Sequence, residues 1–383
     1  MNRRQLFGSA AALAAVAALP RPLFARSEPS RTQWTVGTSE GLDALCFLGA
    51  LSGSELHLRF HAAAVEAFAP RLPEAIRADV PKIWAQAGEA GFGLLGPSLC
   101  AVLSGGDVLT IDGVVALLEA PEARIRPSYA ASPYWDEADW AWLSREAPRL
   151  LAIFTAMRDA GFARFHTERL GADIADHVAD AQAALAGYDV VRWQEKLTGR
   201  AFDPGIQVKL LLFAKPHGIK VQGQTFLQDM NNTTATTVRI AAHEMLHPPF
   251  PMVGRAATAA LKVLADDPLI TRIVRDHDPK WGYTTLDGLL NEDVCEALDQ
   301  LISEALGVAR NPADRWTKAD DGIHVIAAGL YGLLRQDKWI ETGGDIEAWI
   351  GDAAASRRLA PDVLHPAAAR VLERPVGALW PLA

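Results

Sequence analysis

The pattern H-E-x-x-H over residues 243–247 places His243 and His247 four positions apart, with Glu244 between them. Side chains four apart on an α-helix lie on one face, so both imidazoles can reach a single metal ion. The apolar residues that follow Thr234 fall on a different arc at helical spacing. The pattern therefore predicts a helix that ends at His247 and binds zinc, with Glu244 acting as general base on a metal-bound water.

A catalytic zinc site takes a third protein ligand and leaves one position for water. The segment from Leu286 to Leu306 has helical spacing, and it places Glu292 and Glu296 together on one face. In these features the chain resembles the gluzincin metallopeptidases, the thermolysin-like group, over residues 206–331. In that group a glutamate from a later helix completes the site begun by H-E-x-x-H. The resemblance implies Glu292 as third ligand and Glu296 as the carboxylate that orients a metal-bound histidine.

The sequence offers two alternatives to Glu292 as the third ligand: another ligand residue, or no ligand role for the acids of this helix. His277 is a possible ligand, although a histidine in a charged loop is more typical of a residue without a metal. The acids Glu292 and Glu296 could instead form a solvated helix face. A metzincin site is excluded, because Phe250 and Val253 stand where that family has glycine and histidine.

The resemblance also implies a residue that stabilises the oxyanion of the tetrahedral intermediate, because gluzincins commonly use a tyrosine or histidine for this. Tyr331 is our prediction for this role. It follows His324 by seven residues and shares a face with it if the segment is helical. Tyr283 is the alternative.

Most of the chain before residue 199 has helical periodicity, as in Glu55–Phe68 and Asp136–Ala160. Ile206–Phe213 and Ile219–Leu227 have strand patterns separated by a turn, which predicts a hairpin. Arg255–Arg275 is predicted to be one further helix. The predicted fold class is therefore α+β, mostly α.

The predicted organisation has four parts. Residues 1–25 form a signal peptide, 26–198 a mainly α-helical region, 199–340 a zincin-like region with a small sheet and the H-E-x-x-H helix, and 341–383 a C-terminal helix and tail. The gluzincin resemblance implies that a strand edge within residues 206–228 pairs with the backbone of a peptide substrate.

The N-terminus has the features of an export signal. Arg3 and Arg4 precede an apolar, alanine-rich run from Leu6 to Leu19, and a small-residue cleavage site ends at Ala25. The run is too short for a comfortable membrane span. The paired arginines favour the twin-arginine route, so we expect a periplasmic or secreted protein.

Charge and cysteine content narrow the possible partners. The formal charge of −9 becomes −12 after cleavage, because residues 1–25 contain three arginines and no acid. This charge argues against nucleic acid as a partner, and no later segment is apolar enough to predict a membrane span.

An oxidising compartment would permit a Cys46–Cys100 disulfide, although no spacing rule indicates one. Cys295 is predicted to be a small buried hydrophobe.

These expectations combine into an exported zinc metallopeptidase with one Zn²⁺ per chain and a peptide or protein substrate. The first alternative is an exported non-catalytic zinc-binding or scaffold protein with a vestigial site. The second is an accidental motif in a helical exported protein, which would bind no stoichiometric metal. Neither the cleavage specificity nor the choice between exopeptidase and endopeptidase follows from the sequence.

Overall fold

The computed structural model describes residues 30–216, 218–278, 281 and 283–381, so the predicted signal peptide lies outside the described residues. The fold is α+β and mostly helical, as predicted. The strands are β1 (Gln33–Gly37), β2 (Gly205–Leu211), β3 (Ile219–Val221) and β4 (Thr225–Asp229). The helices are α1 (Glu40–Leu51), α2 (Glu55–Phe68), α3 (Glu74–Glu89), α4 (Leu95–Leu103), α5 (Ile111–Glu119), α6 (Pro121–Arg124), α7 (Arg126–Ala130), α8 (Glu137–Asp159), α9 (Phe162–Leu170), α10 (Ile174–Leu185), α11 (Val190–Thr198), α12 (Thr234–Glu244), α13 (Arg255–Ala265), α14 (Pro268–Asp276), α15 (Leu286–Ala305), α16 (Pro312–Lys318), α17 (Val325–Gln336), α18 (Trp339–Thr342), α19 (Ile346–Ala355) and α20 (Pro361–Leu372).

The strands form one mixed sheet in the order β1-β2-β4-β3. Strand β1 is parallel to β2, with Trp34 opposite Ile206, and β2 is parallel to β4, with Val208 opposite Phe226. Strand β3 is antiparallel to β4. The sequence analysis did not predict β1, so the sheet includes a strand from the region predicted to be mainly helical.

The predicted hairpin between residues 206–213 and 219–227 is wrong in its pairing. The second of these segments itself turns at Gly223, which has a φ of +74° that suits glycine, and it forms both β3 and β4. Strand β2 then joins β4 in parallel. The prediction treated Ile219–Leu227 as one strand, whereas Gly223 marks a turn within it.

The sheet separates two hydrophobic cores, because side chains alternate between its faces. Ile206, Val208 and Phe226 face the C-terminal core, which contains buried residues of the helices from α10 onward. Leu211 and Leu227 face the N-terminal core, which contains buried residues of helices between α1 and α9. Helices α10 and α11, which the sequence predicts to end the N-terminal region, thus pack beside the H-E-x-x-H helix.

A buried carboxylate joins the N-terminal core to the end of β2. Asp43 of α1 accepts hydrogen bonds from the backbone N–H groups of Leu212 at 3.1 Å and Phe213 at 2.8 Å. Its other contact is with Nε2 of His166, at 2.8 Å. Burial raises the pKa of Asp43, and these partners counteract the increase. A fully buried acid is tolerated here because its oxygens have hydrogen-bond donors.

The predicted helix over Arg255–Arg275 is divided into α13 and α14. Asp267 caps α14 by accepting hydrogen bonds from the backbone N–H groups of Leu269 and Ile270. Pro268 occupies the first helical position, where its missing N–H costs nothing. We also find that none of the described helices combines the length and apolar character needed to cross a bilayer.

Candidate metal centre

Helix α12 carries His243 and Glu244 in its last turn. The helix begins after Thr233, whose hydroxyl accepts a hydrogen bond from the backbone N–H of Thr236 at 3.2 Å. The predicted apolar arc is buried in the C-terminal core. Packing of that arc leaves His243 and Glu244 on the remaining surface of the helix, where both are only partly buried.

The helix ends at Glu244, earlier than predicted, so His247 lies beyond it. The chain tightens there through an i→i+3 hydrogen bond to the carbonyl of His243. Pro248 explains the early end, because it has no N–H to offer the last turn and disfavours the α conformation at the residue before it. The ammonium group of Lys220, on β3, donates to the carbonyl of His247 at 3.2 Å and so fixes the position of this segment.

Helix α15 places Glu292 against both histidines. One carboxylate oxygen of Glu292 lies 3.3 Å from Nε2 of His243, and the other lies 3.4 Å from Nε2 of His247. The two Nε2 atoms are 3.1 Å apart. The structure thus brings together the three predicted ligands, which we call the His-His-Glu cluster.

The separations within the cluster provide a test of whether it fits Zn²⁺. Two ligand atoms bound at 2.0–2.2 Å in tetrahedral geometry lie about 3.4 Å apart. The two Nε2 atoms are 3.1 Å apart, and each lies 3.3 or 3.4 Å from its nearer oxygen of Glu292, so these separations agree with that value to within about 0.3 Å. Two imidazoles and a carboxylate are also a donor set that catalytic zinc uses, with a fourth position for water. The residues present therefore fit the metal.

The cluster residues have shifted pKa values. Burial would lower the pKa of His243, but the charge of Glu292 and the hydrogen bond to Asp299 raise it well above the ordinary value. Burial and the charge of His243 lower the pKa of His247 to about 4. Burial would raise the pKa of Glu292, but the nearby His243 lowers it to about 2. Metal binding would therefore displace a proton from His243, whereas the other two groups are already in their ligating forms.

Asp299 makes the orienting contact that was predicted for Glu296. Its Oδ2 lies 2.7 Å from Nδ1 of His243, whereas the nearest oxygen of Glu296 is 3.9 Å away. Glu296 instead accepts hydrogen bonds from Arg315 at 2.6 Å and from the indole N–H of Trp316 at 2.7 Å. Arg315 also pairs with Asp299. The sequence contains a signal for Asp299, because a residue seven positions after Glu292 returns to the same helix face.

Cys295 is a neighbour of the cluster that the sequence analysis did not assign to the site. Its sulfur lies 3.4 Å from Nδ1 of His247. Burial raises the pKa of this thiol well above its ordinary value, so it remains protonated. Contact at Nδ1 leaves Nε2 of His247 facing Glu292, which is the orientation that shared metal binding requires.

Glu244 lines a cleft of about 230 Å³ together with His243 and Asp299. Within the part of the chain that the structure describes, its carboxylate has no hydrogen-bond partner. Burial raises the pKa of Glu244, although the charges of His243 and Lys220 counteract this. Tyr134 approaches from the N-terminal core: burial and the charge of Glu244 both raise its pKa.

The structure does not bring Tyr331 to the cluster. Its hydroxyl donates to Glu304 at 2.6 Å, further along α15. Tyr283 lies closer to Glu292 instead: burial, followed by the charge of Glu292, raises its pKa. The ring of Tyr283 packs edge-on against His324, with centroids 5.7 Å apart. Its φ of 55° is uncommon for a residue other than glycine and is typical of constrained functional positions.

The remaining candidates from the sequence lie elsewhere. His277 follows the last residue of α14, and its Nδ1 is 2.8 Å from the carbonyl of Ile273 in that helix. Among the described residues, the two groups that could hold a metal do not include His277. The sulfurs of Cys46 and Cys100 are 3.8 Å apart in the N-terminal core, and both thiols are free.

We expect Asp299→Ala to weaken zinc binding by about 10- to 100-fold, because His243 loses the carboxylate that orients its ring. The measurement is the zinc dissociation constant by competition with a chromophoric chelator, with circular dichroism to check the fold. Asp314→Ala is the matched control, because this acid is exposed on α16 and pairs with Lys318. An unchanged dissociation constant in Asp299→Ala would contradict the orienting role.

The site combines three candidate ligands at zinc-compatible separations with a neighbouring carboxylate, Glu244, that has a raised pKa. Such an arrangement can hold a metal and accept a proton from a water molecule next to it. In comparisons with known proteins, no family model, no curated protein and no solved structure matches this chain.

Proposed function

We propose that the protein is an exported zinc metallopeptidase whose zincin-like catalytic region is built from α12, α15 and the sheet. The observation that carries this proposal is the His-His-Glu cluster, with separations of 3.1–3.4 Å, beside the carboxylate of Glu244. Structural zinc sites are closed by four protein ligands and have no role for such a carboxylate. Three ligands next to a cleft support a catalytic site.

When bound by His243, His247 and Glu292, Zn²⁺ would supply an acidified water and a Lewis acid for the scissile carbonyl. Glu244 accepts the proton of the attacking water and passes it to the leaving amine. Burial raises the pKa of Glu244 and makes it a stronger base than an exposed carboxylate. A general base is most effective when its pKa approaches the working pH, so this shift favours catalysis.

Strand β3 is our choice for the strand that pairs with the substrate backbone. It forms one edge of the sheet, and its Lys220 donates to the backbone carbonyl of His247, a member of the cluster. An extended peptide can add to such an edge through main-chain hydrogen bonds. The opposite edge is β1, which lies on the far side of β2 and β4.

We assign stabilisation of the oxyanion to Tyr283, which precedes α15, packs against His324 and is close enough to Glu292 for its charge to raise the pKa of the tyrosine. Tyr283→Phe should lower kcat by about 10²- to 10³-fold, as expected for removal of one oxyanion donor. Zinc content should be unchanged. Tyr331→Phe is the matched control and should retain kcat, because its hydroxyl is engaged by Glu304. The reverse pattern, with loss of activity in Tyr331→Phe, would overturn the assignment.

The function is tested by measuring zinc and peptidase activity on one preparation. The chain is expressed with its own signal, recovered from the exported fraction, and expected to begin at Arg26. We expect about one zinc per chain, the stoichiometry of a mononuclear site, and cleavage of a diverse peptide library that stops with a chelator and returns with Zn²⁺. A zinc-loaded protein that cleaves no peptide would favour a non-catalytic zinc-binding or scaffold protein. Absence of metal would indicate an accidental motif.

A further inference from the structure

Three arginines line the cleft that contains Glu244. Arg239 lies on α12 four residues before His243, whereas Arg310 and Arg315 approach from the start of α16 and from the residues before it. A helix rises about 1.5 Å per residue, so Arg239 lies about 6 Å along the axis from His243. A basic wall therefore lies close to the candidate metal centre.

Arg315 already has two acidic partners. Its guanidinium pairs with Asp299 and with Glu296, which hold it at the base of the cleft. The side chain is almost completely buried, and its Nε has no hydrogen-bond partner within the described residues. One guanidinium offsets only part of the charge of these two acids, and their charge also acts on Arg239 and Arg310.

Arg239 and Arg310 have no acidic partner. The guanidinium of Arg239 donates to two uncharged oxygens, the carbonyl of Val308 and the hydroxyl of Thr236, both at 2.9 Å. Across residues 30–216, 218–278, 281 and 283–381, no carboxylate forms an ion pair with either arginine. Burial and the charge of Arg310 lower the pKa of Arg239. The two cations thus repel each other across the cleft, and a bound anion would relieve this.

We infer that Arg239 and Arg310, which line the same cleft as Glu244, bind a carboxylate of the substrate. The inference rests on the proposed function and adds a substrate class to it. The arginine fork matches a carboxylate and binds it through charge-assisted hydrogen bonds.

The carboxylate can come from two sources: the C-terminus of the peptide or the side chain of an aspartate or glutamate. The first would make the enzyme a carboxypeptidase or dipeptidase, and the second an endopeptidase that cleaves near acidic residues. The cleft of about 230 Å³ is smaller than a typical ligand pocket of about 300–1,000 Å³, so it accommodates a single residue. The peptides used in the test distinguish the two sources.

The test uses the zinc-loaded Glu244→Gln variant, so that peptides bind without being cleaved. Calorimetry compares N-acetyl-Ala-Ala with its C-terminal amide, and with N-acetyl-Ala-Asp-Ala amide. We expect at least one carboxylate peptide to bind about tenfold or more tightly than the neutral amide, as for a charge-assisted contact. Adding Arg239→Gln or Arg310→Gln should remove the preference without changing binding of the neutral amide. Arg59→Gln, at an exposed position of α2, is the matched control.

Equal binding of the three peptides, or no binding, would overturn the inference. So would a carboxylate preference that survives both arginine substitutions, because the metal alone would then account for it. The proposed function fails separately, if the zinc-loaded wild-type protein cleaves no peptide. In that case an arginine-dependent preference for carboxylates would still establish the anion site.

Discussion

Glu244→Gln should retain about one zinc per chain and lose peptidase activity by about 10³-fold or more, since general-base catalysis contributes 10²- to 10⁴-fold. The amide keeps the size of the side chain but cannot accept the proton. Glu244 belongs to none of the groups that could hold a metal among the described residues, so the metal should remain. The measurements are kcat on a peptide identified from the library and zinc by elemental analysis.

Glu66→Gln is the control for this substitution. Glu66 is exposed on α2, and replacing it with glutamine makes the same change of charge far from the cluster. Full activity in Glu244→Gln would contradict the role of Glu244 as general base. Loss of zinc together with activity would show that Glu244 helps to bind the metal, and would equally contradict the assignment.

The second large effect is expected for Glu292→Ala, which removes one of the three proposed ligands. Structural zinc sites bind with about 10–16 kcal/mol through four ligands, or about 2.5–4 kcal/mol per ligand. Loss of Glu292 should therefore raise the zinc dissociation constant by about 10²- to 10³-fold. We expect the same for His243→Ala. Activity should be lost at zinc concentrations that saturate the wild-type protein.

Asp287→Ala is the control on the same helix, because this acid is exposed in the first turn of α15. Zinc should also raise the melting temperature of the wild-type protein, since it binds the folded chain. That shift should disappear in Glu292→Ala and persist in Asp287→Ala. Normal zinc content in Glu292→Ala would refute the ligand assignment.

The formation of α12 and the faces of its side chains could be predicted, because the local spacing of residues determines both. The apolar arc and the position of His243 both follow from a period of 3.6 residues. The helix end could not be placed as well. Pro248 disfavours the α conformation at His247, but the sequence alone does not give the residue at which the helix ends.

The carboxylate that orients His243 was harder to predict. Glu292, Glu296 and Asp299 share one face of α15 and extend over about 10 Å of its axis. The choice among them depends on where α12 crosses α15, which is a tertiary property. Pairing of Glu296 with Arg315 adds to this, because the arginine comes from a separate helix.

Tyr331 and β1 show the same limit. The helical face shared by His324 and Tyr331 was a local argument, and the structure starts α17 only after His324. Strand β1 has five residues, and its partner β2 comes much later in the chain, so no short window of sequence indicates their pairing. Local periodicity predicted the helices better than the long-range contacts.

The position of the sheet between the two cores determines when each core can be completed during synthesis. The N-terminal core includes Leu211, Ile219 and Leu227, which follow its last helical contribution at Phe165 by some distance along the chain. At about 5–20 residues per second, a ribosome needs about 3–12 s to extend from Phe165 to Leu227. During that interval helices α1–α9 lack the sheet that covers them. Translation speed across residues 166–227 thus sets how long the nascent chain exposes an aggregation-prone apolar surface.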